Sequence, residues 1–163
     1  MGTATPRVST PTPDTGVLFV TEHGPNENDE LNRLQAGGEY GWPSVTGRAG
    51  IPGLVDPIAA WTPTIAPAGA TFYNADLIPG WRGSFLFVTL KEQDLRRLTP
   101  ADAEFMTVHS EEILFDGAYG RLRAIRVGPD GSLYISTSNR DGRGSLPGSD
   151  RILRISPRTA AGD

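Results

Sequence analysis

The stretch RLRAIRVGPDGSLYIST, residues 121–137, contains two apolar runs separated by a four-residue turn. The runs 122–127 and 132–137 are rich in β-branched and aliphatic residues, which favours strands. Between them stands Gly-Pro-Asp-Gly, whose last residue, Gly131, is free to take the positive φ of a tight turn. We therefore expect an antiparallel hairpin of the kind from which four-stranded propeller blades are built.

Similar strand signals recur along the chain at spacings typical of all-β proteins. The predicted strands are 17–21, 30–34, 70–73, 84–90, 94–98, 105–115, 122–127, 132–137 and 152–155. The longest of them, 105–115, is expected to contain two segments or a bulge. No convincing window free of internal Gly and Pro shows the apolar period of a helix. The chain is therefore predicted to be all-β.

The length of the chain limits how much of a propeller it can form. A blade takes roughly 40–50 residues, so 163 residues supply about three to four blades, whereas closed propellers have about four to eight. We therefore expect a partial propeller over residues 14–157. The Thr- and Pro-rich segment 1–13 is predicted to be an irregular or disordered lead-in, and residues 158–163 a C-terminal tail.

Composition excludes several classes of function. A formal net charge of −4 argues against nucleic-acid binding, which needs a basic face. The absence of cysteine excludes disulfides, thiolate metal sites and cysteine nucleophiles. No apolar run reaches the length of a membrane span, and the first residues lack the apolar core of an export signal.

The loop 21–25, Thr-Glu-His-Gly-Pro, ends a predicted strand in a Gly-Pro break and leads into acidic residues. Loops held by strands are where binding sites concentrate. The backbone carbonyls of Gly24 and Pro25 are hard oxygen ligands of the kind calcium prefers. The same pattern is also typical of a solvated acidic loop, so the loop composition leaves both interpretations open.

Arg121 and Arg123 occupy alternate positions of a predicted strand, so their guanidinium groups are expected on the same face. Arginine binds carboxylates through paired hydrogen bonds, which makes the pair a candidate anion site. Ion pairs with surface acids are the alternative.

Lys91 follows a strand, where a lysine is usually a solvated charge. Trp61, beside a proline-stiffened segment, is equally well interpreted as a core residue or as the wall of a pocket.

Three motifs follow one another in a fixed order: the Gly24-Pro25 loop, DELN at 29–32 and EYGWP at 39–43. This order closely resembles the soluble glucose/sorbosone dehydrogenases, six-bladed β-propellers that carry pyrroloquinoline quinone (PQQ) and calcium. The resemblance covers about residues 14–157 and corresponds to the C-terminal half of a family member. It implies that the carbonyls of Gly24 and Pro25 bind calcium. It implies that PQQ is held by Thr64, Lys91, Arg121, Arg123 and Trp61.

The sequence also departs from the family pattern. Glu39 replaces an asparagine, and Ala59 stands where the family has a tyrosine near the quinone. The family's catalytic histidine lies on an earlier blade, and the segment GHRNPQG near it has no counterpart here, so no catalytic residue is assigned. His23 takes a position that is glutamine in some members and is not interpreted as the base. His109 is expected at the surface.

The segment 137–155 resembles the family's C-terminal ending, in which a loop near the pocket mouth returns to a last strand. We expect a surface loop without a catalytic role. Substrate contact through Arg140 and Asp141 is the alternative.

By resemblance, the parent reaction oxidises an aldose at the anomeric carbon to a lactone and passes the electrons to an external acceptor. The first interpretation of this chain is the C-terminal part of such an enzyme, without its catalytic base. The alternatives are a catalytically silent module that binds ligand or assembles as a homodimer into a closed ring, an enzyme completed by another chain, and a calcium-stabilised structural propeller. Family members act in the periplasm or outside the cell, although this sequence shows no export signal.

Overall fold

The computed structural model describes residues 5–143 and 150–157. This part contains strands and turns but no helix, which confirms the all-β prediction. Within these ranges, no helix is long and apolar enough to span a membrane. The strands are β1 Thr5–Pro11, β2 Leu18–His23, β3 Asp29–Arg33, β4 Ala59–Trp61, β5 Pro67–Phe72, β6 Phe85–Thr89, β7 Leu95–Pro100, β8 Val108–Leu114, β9 Leu122–Val127, β10 Leu133–Thr137 and β11 Ile152–Ile155.

The strands form three antiparallel sheets, each with its strands in chain order. We call them the first blade (β1 to β4), the second blade (β5 to β8) and the third blade (β9 to β11). Strand β5 contacts β1 on one side and β9 on the other, so the first strands of the three blades lie next to one another. We call β1, β5 and β9 the inner strands. Antiparallel meanders arranged radially in this way are propeller blades. The described part is a partial β-propeller, as predicted.

The second blade is apolar on both faces because it lies between the other two. Successive residues of a strand point to opposite faces, and all five residues of β6 are buried. Phe85 and Phe87 face the first blade, whereas Leu86 and Val88 face the third. The first interface is aromatic, and its rings include Phe19, Trp61, Phe72, Phe85, Phe87 and Phe105.

The inner strands of the second and third blades approach closely at Gly69. A Cβ atom added there would lie 2.6 Å from Ala124 Cα and 2.8 Å from the Ile125 nitrogen. The pairing register of β5 also shifts between Pro67 and Ala70. Glycine inside a strand marks such close approaches of two backbones.

The predicted turn at 128–131 is confirmed. Gly131 has a φ of +77°, and the Gly128 amide donates to the Ser132 carbonyl at 2.8 Å. The predicted irregular lead-in is wrong for residues 5–11, which form β1 and pair with β2. The Thr- and Pro-rich sequence of β1 shows no alternation of apolar residues, so the strand could not be predicted. It is held in place by its pairing with β2. Residues 1–4 and the predicted tail 158–163 lie outside the described residues.

Candidate functional site

The inner strands border a cleft of about 280 Å³ that contains one of the predicted site residues. Arg7 comes from β1, the backbone of residues 67–69 from β5 and Arg123 from β9. His23, the last residue of β2, completes the wall on the side of the first blade. The topology therefore brings together residues more than a hundred positions apart in the sequence.

Asp29 joins the Gly24 loop to the segment that carries Thr64. One carboxylate oxygen accepts from the Gly24 amide at 2.8 Å, and the other accepts from the amides of Ile65 and Ala66, both at 2.7 Å. Asp29 is fully buried. Carboxylates that accept several backbone hydrogen bonds are strongly held in place. The relative position of the two predicted ligand segments is therefore set by one side chain.

Lys91 lies beside Thr64, as required if both belong to one site. The Lys91 ammonium donates to the Thr64 hydroxyl at 3.1 Å. The two backbones are also joined, because the amides of Leu90 and Lys91 donate to the carbonyls of Ala66 and Ile65 at 2.9 and 3.2 Å. The ammonium side chain is exposed and has further donors available.

Arg121 is held by the loop that follows β10. Its Nε and Nη2 donate to Asp141 Oδ2 at 3.1 and 3.0 Å, and its Nη1 donates to the Leu90 carbonyl at 3.1 Å. The Arg121 amide also donates to the side chain of Asn139 at 2.9 Å. Hydrogen bonds from the Arg143 amide outweigh partial desolvation and, together with Arg121, lower the pKa of Asp141. The loop therefore fixes and neutralises Arg121.

Arg123 differs from Arg121 in its surroundings. It is exposed, it lines the cleft, and within the described part of the chain it makes no ion pair. Leu90 connects the two arginines, since its carbonyl accepts from Arg121 and the residue lines the same cleft as Arg123. The sequence left two alternatives for these arginines, an ion pair with an acid or an anion site. Arg121 forms an ion pair, whereas Arg123 has no acidic partner among the described residues and is available for an anion.

The Gly24-Pro25 loop is tightly curled. A Cβ atom at Gly24 would overlap the carbonyl oxygen of Glu27 and lie 2.8 Å from that of Asn28. Only glycine fits at this position. In residues 5–143 and 150–157, no hydrogen bond to the carbonyls of Gly24 and Pro25 is found, so both oxygens are available as ligands.

The acidic residues around this loop are largely buried, in contrast to a solvated acidic loop. Glu22 and Glu30 are 1% and 8% exposed. Both accept from the side-chain amide of Asn32, at 2.9 and 3.0 Å, and Glu30 also accepts from the Gly47 amide at 2.6 Å. Buried carboxylates require such partners. No group of three His, Cys, Asp or Glu side chains that could hold a metal ion occurs among the described residues.

His23 uses both ring nitrogens within the chain. Arg7 Nε donates to His23 Nδ1 at 3.1 Å, so Nδ1 is the acceptor. The other nitrogen, Nε2, therefore carries the proton and donates to the Pro67 carbonyl at 2.7 Å. This arrangement ties β1 and β2 to β5. It leaves no lone pair on His23 for a role as general base, in line with the sequence-based interpretation.

Trp61 is not brought to the cleft. It is 9% exposed, and its ring centroid lies 5.1 Å from that of Phe87. Its indole N–H donates to the carboxylate of Glu111 at 3.1 Å. These contacts are those of a core residue, although Trp61 also lines a cleft of about 210 Å³ together with Thr62 and Pro63. We favour the core interpretation and do not carry Trp61 into the proposed site.

A larger cleft, of about 510 Å³, lies at the other end of β1 and is formed by the turns 12–17, 73–83 and 100–105. It contains none of the predicted site residues. The smaller cleft is the candidate site because two exposed cations, Arg7 and Arg123, line it. Gly24 and Lys91 directly follow the lining residues His23 and Leu90 in the chain.

Three contributors to the site were missed by sequence reasoning. Arg7 lies in the segment predicted to be irregular. Asp29 is one of several acids that follow the Gly-Pro loop, and its place at the start of the DELN motif is the sequence signal that distinguishes it. Asp141 was expected in a surface loop, and its pairing with Arg121 could not be read from residues 20 positions apart.

Comparisons with known proteins agree with this fold. The glucose/sorbosone dehydrogenase family model matches residues 2–154. Aldose sugar dehydrogenase YliI of Escherichia coli (strain K12) is 30% identical over an alignment of 164 positions that covers 90% of this chain and 40% of that protein.

Two solved structures are also similar. The PQQ-bound form of the aldose sugar dehydrogenase from Streptomyces coelicolor superposes with a TM-score of 0.77 at 32% identity, covering 93% of this chain and 42% of that one. The apo form of the soluble aldose sugar dehydrogenase from Escherichia coli gives a TM-score of 0.80 at 29% identity, covering 96% and 46%. The chain thus spans less than half the length of these relatives. It belongs to the glucose/sorbosone dehydrogenase family.

Proposed function

We propose that this chain supplies part of the PQQ and calcium site of a sugar dehydrogenase that oxidises an aldose at its anomeric carbon to a lactone. Electrons would pass to an external acceptor. The family is one of sugar dehydrogenases, and one similar structure contains PQQ. In this proposal the catalytic base is not among the described residues.

The observation that carries the proposal is the connection of the predicted ligand segments through Asp29. The Gly24 loop and the Ile65 backbone bind opposite oxygens of this one carboxylate. From there the network continues to Lys91, whose ammonium meets Thr64. Precise placement of ligands by buried supporting groups is typical of a built binding site.

The charges of the cleft fit PQQ, which carries three carboxylates. Arg123 lines the cleft without an ion pair in the described part of the chain, and the exposed ammonium of Lys91 lies nearby on the Thr64 side. Guanidinium and ammonium groups bind carboxylates through charge-assisted hydrogen bonds. We propose Thr64, Lys91, Arg121 and Arg123 as the PQQ ligands of this chain.

The Gly24 loop fits calcium in part. Calcium takes about six to eight oxygen ligands, and the carbonyls of Gly24 and Pro25 would supply two of them. The remaining ligands would come from the cofactor and from water. The bond between the Gly24 amide and Asp29 keeps this loop in place.

When bound, PQQ accepts the electrons of the sugar and calcium polarises the accepting carbonyl. The residues of this chain orient the cofactor and neutralise its carboxylates. His23 supports the cleft wall, since its two nitrogens are engaged by Arg7 and Pro67.

The test is calorimetric titration of the purified chain with PQQ in the presence and absence of calcium. We expect saturable binding that requires calcium, and weaker binding by the variants Lys91→Gln and Arg123→Gln. The variant Arg154→Gln serves as the control, because it removes the same charge from a surface ion pair with Asp130. Absence of PQQ binding under both conditions would contradict the proposal.

A second candidate is assembly of two copies into a ring. Ile152 in β11 pairs with Ser136, one position from the buried Ile135, so it lies on the face of the third blade directed away from the second. This face is uncovered by the described residues, and Ile152 is 77% exposed. Sedimentation velocity measures the outcome: a discrete dimer supports assembly, and a monomer contradicts it.

A further inference from the structure

We propose that Arg7, on β1, is a second arginine of a carboxylate-binding site in the cleft and acts together with Arg123. The inference rests on the proposed function and adds a residue to its site. Neither the sequence motifs nor the comparisons assign Arg7 a role.

The side chains that line the cleft make it positively charged. Its lining residues are Arg7, Val8, His23, Pro67, Ala68, Gly69, Leu90 and Arg123. Two guanidinium groups are thus present, with no carboxylate among the lining residues. Cations that share a cleft repel each other, and the repulsion is relieved by a bound anion.

No acidic side chain among the described residues neutralises these two arginines. Within residues 5–143 and 150–157, neither Arg7 nor Arg123 makes an ion pair, and both are exposed. The single side-chain hydrogen bond of Arg7 in this part goes from Nε to His23, which leaves its two terminal nitrogens available. Arg121, by contrast, donates from two of its nitrogens to Asp141 and from the third to the Leu90 carbonyl.

The side chain of Arg7 is preorganised by His23. His23 is fixed by its bond to the Pro67 carbonyl at 2.7 Å and in turn accepts from Arg7 at 3.1 Å. The guanidinium of Arg7 is therefore oriented before a ligand arrives, which reduces the entropy lost on binding. The contact also links strands of the first two blades.

The ligand class follows from this geometry. A planar guanidinium with two free terminal nitrogens matches the two oxygens of a carboxylate. Two such groups on opposite walls, from β1 and β9, suit a compact molecule with more than one carboxylate. PQQ is such a molecule, so Arg7 would bind one of its carboxylates and Arg123 another.

The experiment compares four proteins: the unchanged chain, Arg7→Gln, Arg123→Gln and the control Arg154→Gln. Each variant removes one positive charge. Each is titrated by calorimetry with PQQ plus calcium, and separately with benzene-1,3,5-tricarboxylate without calcium, at several salt concentrations. Thermal melts establish that the variants are folded.

We expect Arg7→Gln to weaken binding of both probes by about ten- to a hundredfold, the loss typical of a hydrogen bond to a charged group. Its affinity should also depend less on salt, because one charge contact is gone. Arg154→Gln should bind like the unchanged chain. If PQQ binding is lost in Arg123→Gln but unchanged in Arg7→Gln, the proposed function stands and the role of Arg7 is overturned.

Two further outcomes separate the inference from the proposed function. If the chain binds the tricarboxylate through Arg7 but does not bind PQQ, the carboxylate site stands and the proposed function fails. If it binds neither probe, both fail.

Discussion

Asp141 holds Arg121 through a single carboxylate oxygen, which accepts from Nε at 3.1 Å and from Nη2 at 3.0 Å. The two side chains are 24% and 13% exposed, so the pair is largely shielded from solvent. The charge of Arg121 is therefore compensated before any ligand binds. Arg123, two positions further along, makes no ion pair in the described part of the chain.

This difference predicts unequal effects of the two arginines on binding. Arg123→Gln should reduce PQQ affinity about tenfold more than Arg121→Gln, because a free cation gains more from a carboxylate than one already paired. Calorimetric titration in the presence of calcium measures both. Equal losses in the two variants would show that Asp141 releases Arg121 on binding.

Replacement of Asp29 should strongly destabilise the fold. Asp29→Ala leaves the amides of Gly24, Ile65 and Ala66 without their acceptor. Each buried unsatisfied group costs about 1–3 kcal/mol, so we expect a loss of about 3 kcal/mol or more in the free energy of unfolding. Urea unfolding followed by fluorescence measures it.

The matched control for this change is Asp14→Asn, at an exposed aspartate in a turn. Surface substitutions usually stay within about 0.5 kcal/mol. Equal stability of Asp29→Ala and Asp14→Asn would mean that the carboxylate of Asp29 does not organise the loop.

The close approach of the inner strands predicts a large effect at Gly69. In Gly69→Ala the new Cβ would meet the Ala124 backbone at 2.6 Å, so β5 and β9 would have to separate. We expect destabilisation of about 3 kcal/mol, at the upper end for overpacking. Gly53→Ala is the comparison, because it introduces backbone strain at a φ of +89° but meets nothing within 4 Å. That strain costs about 1–2 kcal/mol. A smaller loss at Gly69 than at Gly53 would contradict the close packing.

Trp61→Phe should reduce stability while leaving PQQ affinity unchanged. The phenyl ring keeps part of the packing against Phe87 but loses the hydrogen bond to Glu111, for a cost of about 1–2 kcal/mol. Denaturant unfolding and PQQ titration of the same sample measure the two effects. Reduced affinity without a loss of stability would restore Trp61 to the cofactor site.

The lowered pKa of Asp130 should make the stability of the third blade depend on pH in the acid range. Partial desolvation opposes its ionisation, but hydrogen bonds from the Ser132 amide, Arg154 and Tyr134 outweigh it and lower its pKa to about 2. A lowered pKa in the folded state gives stability that is present above the unfolded value near 3.8 and is lost as the pH falls towards 2.

We therefore expect the unchanged chain to lose more stability than Asp130→Asn between pH 4 and pH 2, in thermal melts at constant ionic strength. Above this window the difference between the two proteins should not depend on pH. Parallel curves throughout the window would contradict the ionised pairing with Arg154.

The pattern of apolar runs and turns was sufficient for the main elements of the fold. Nine of the strands lie where alternating apolar residues predicted them, since period-two burial is a local property of the sequence. The region 105–115 contains one strand, 108–114, whose pairing with β7 shifts register between Thr99 and Pro100, so the bulge expected there is confirmed. Strands β1 and β4 were missed because their polar or short sequences carry no such period and are held by pairing with β2 and β3.

For the site, the sequence by itself determined which residues could bind an anion or a cation: the Gly24-Pro25 carbonyls, Lys91, Arg121 and Arg123. Only the tertiary structure decided how they are used. It paired Arg121 with Asp141, left Arg123 without an ion pair among the described residues, placed Arg7 in the wall of the same cleft and buried Trp61 against Glu111. The physical reason is that chemical type belongs to the residue, whereas charge compensation and burial depend on neighbours that the blades bring together from distant parts of the chain.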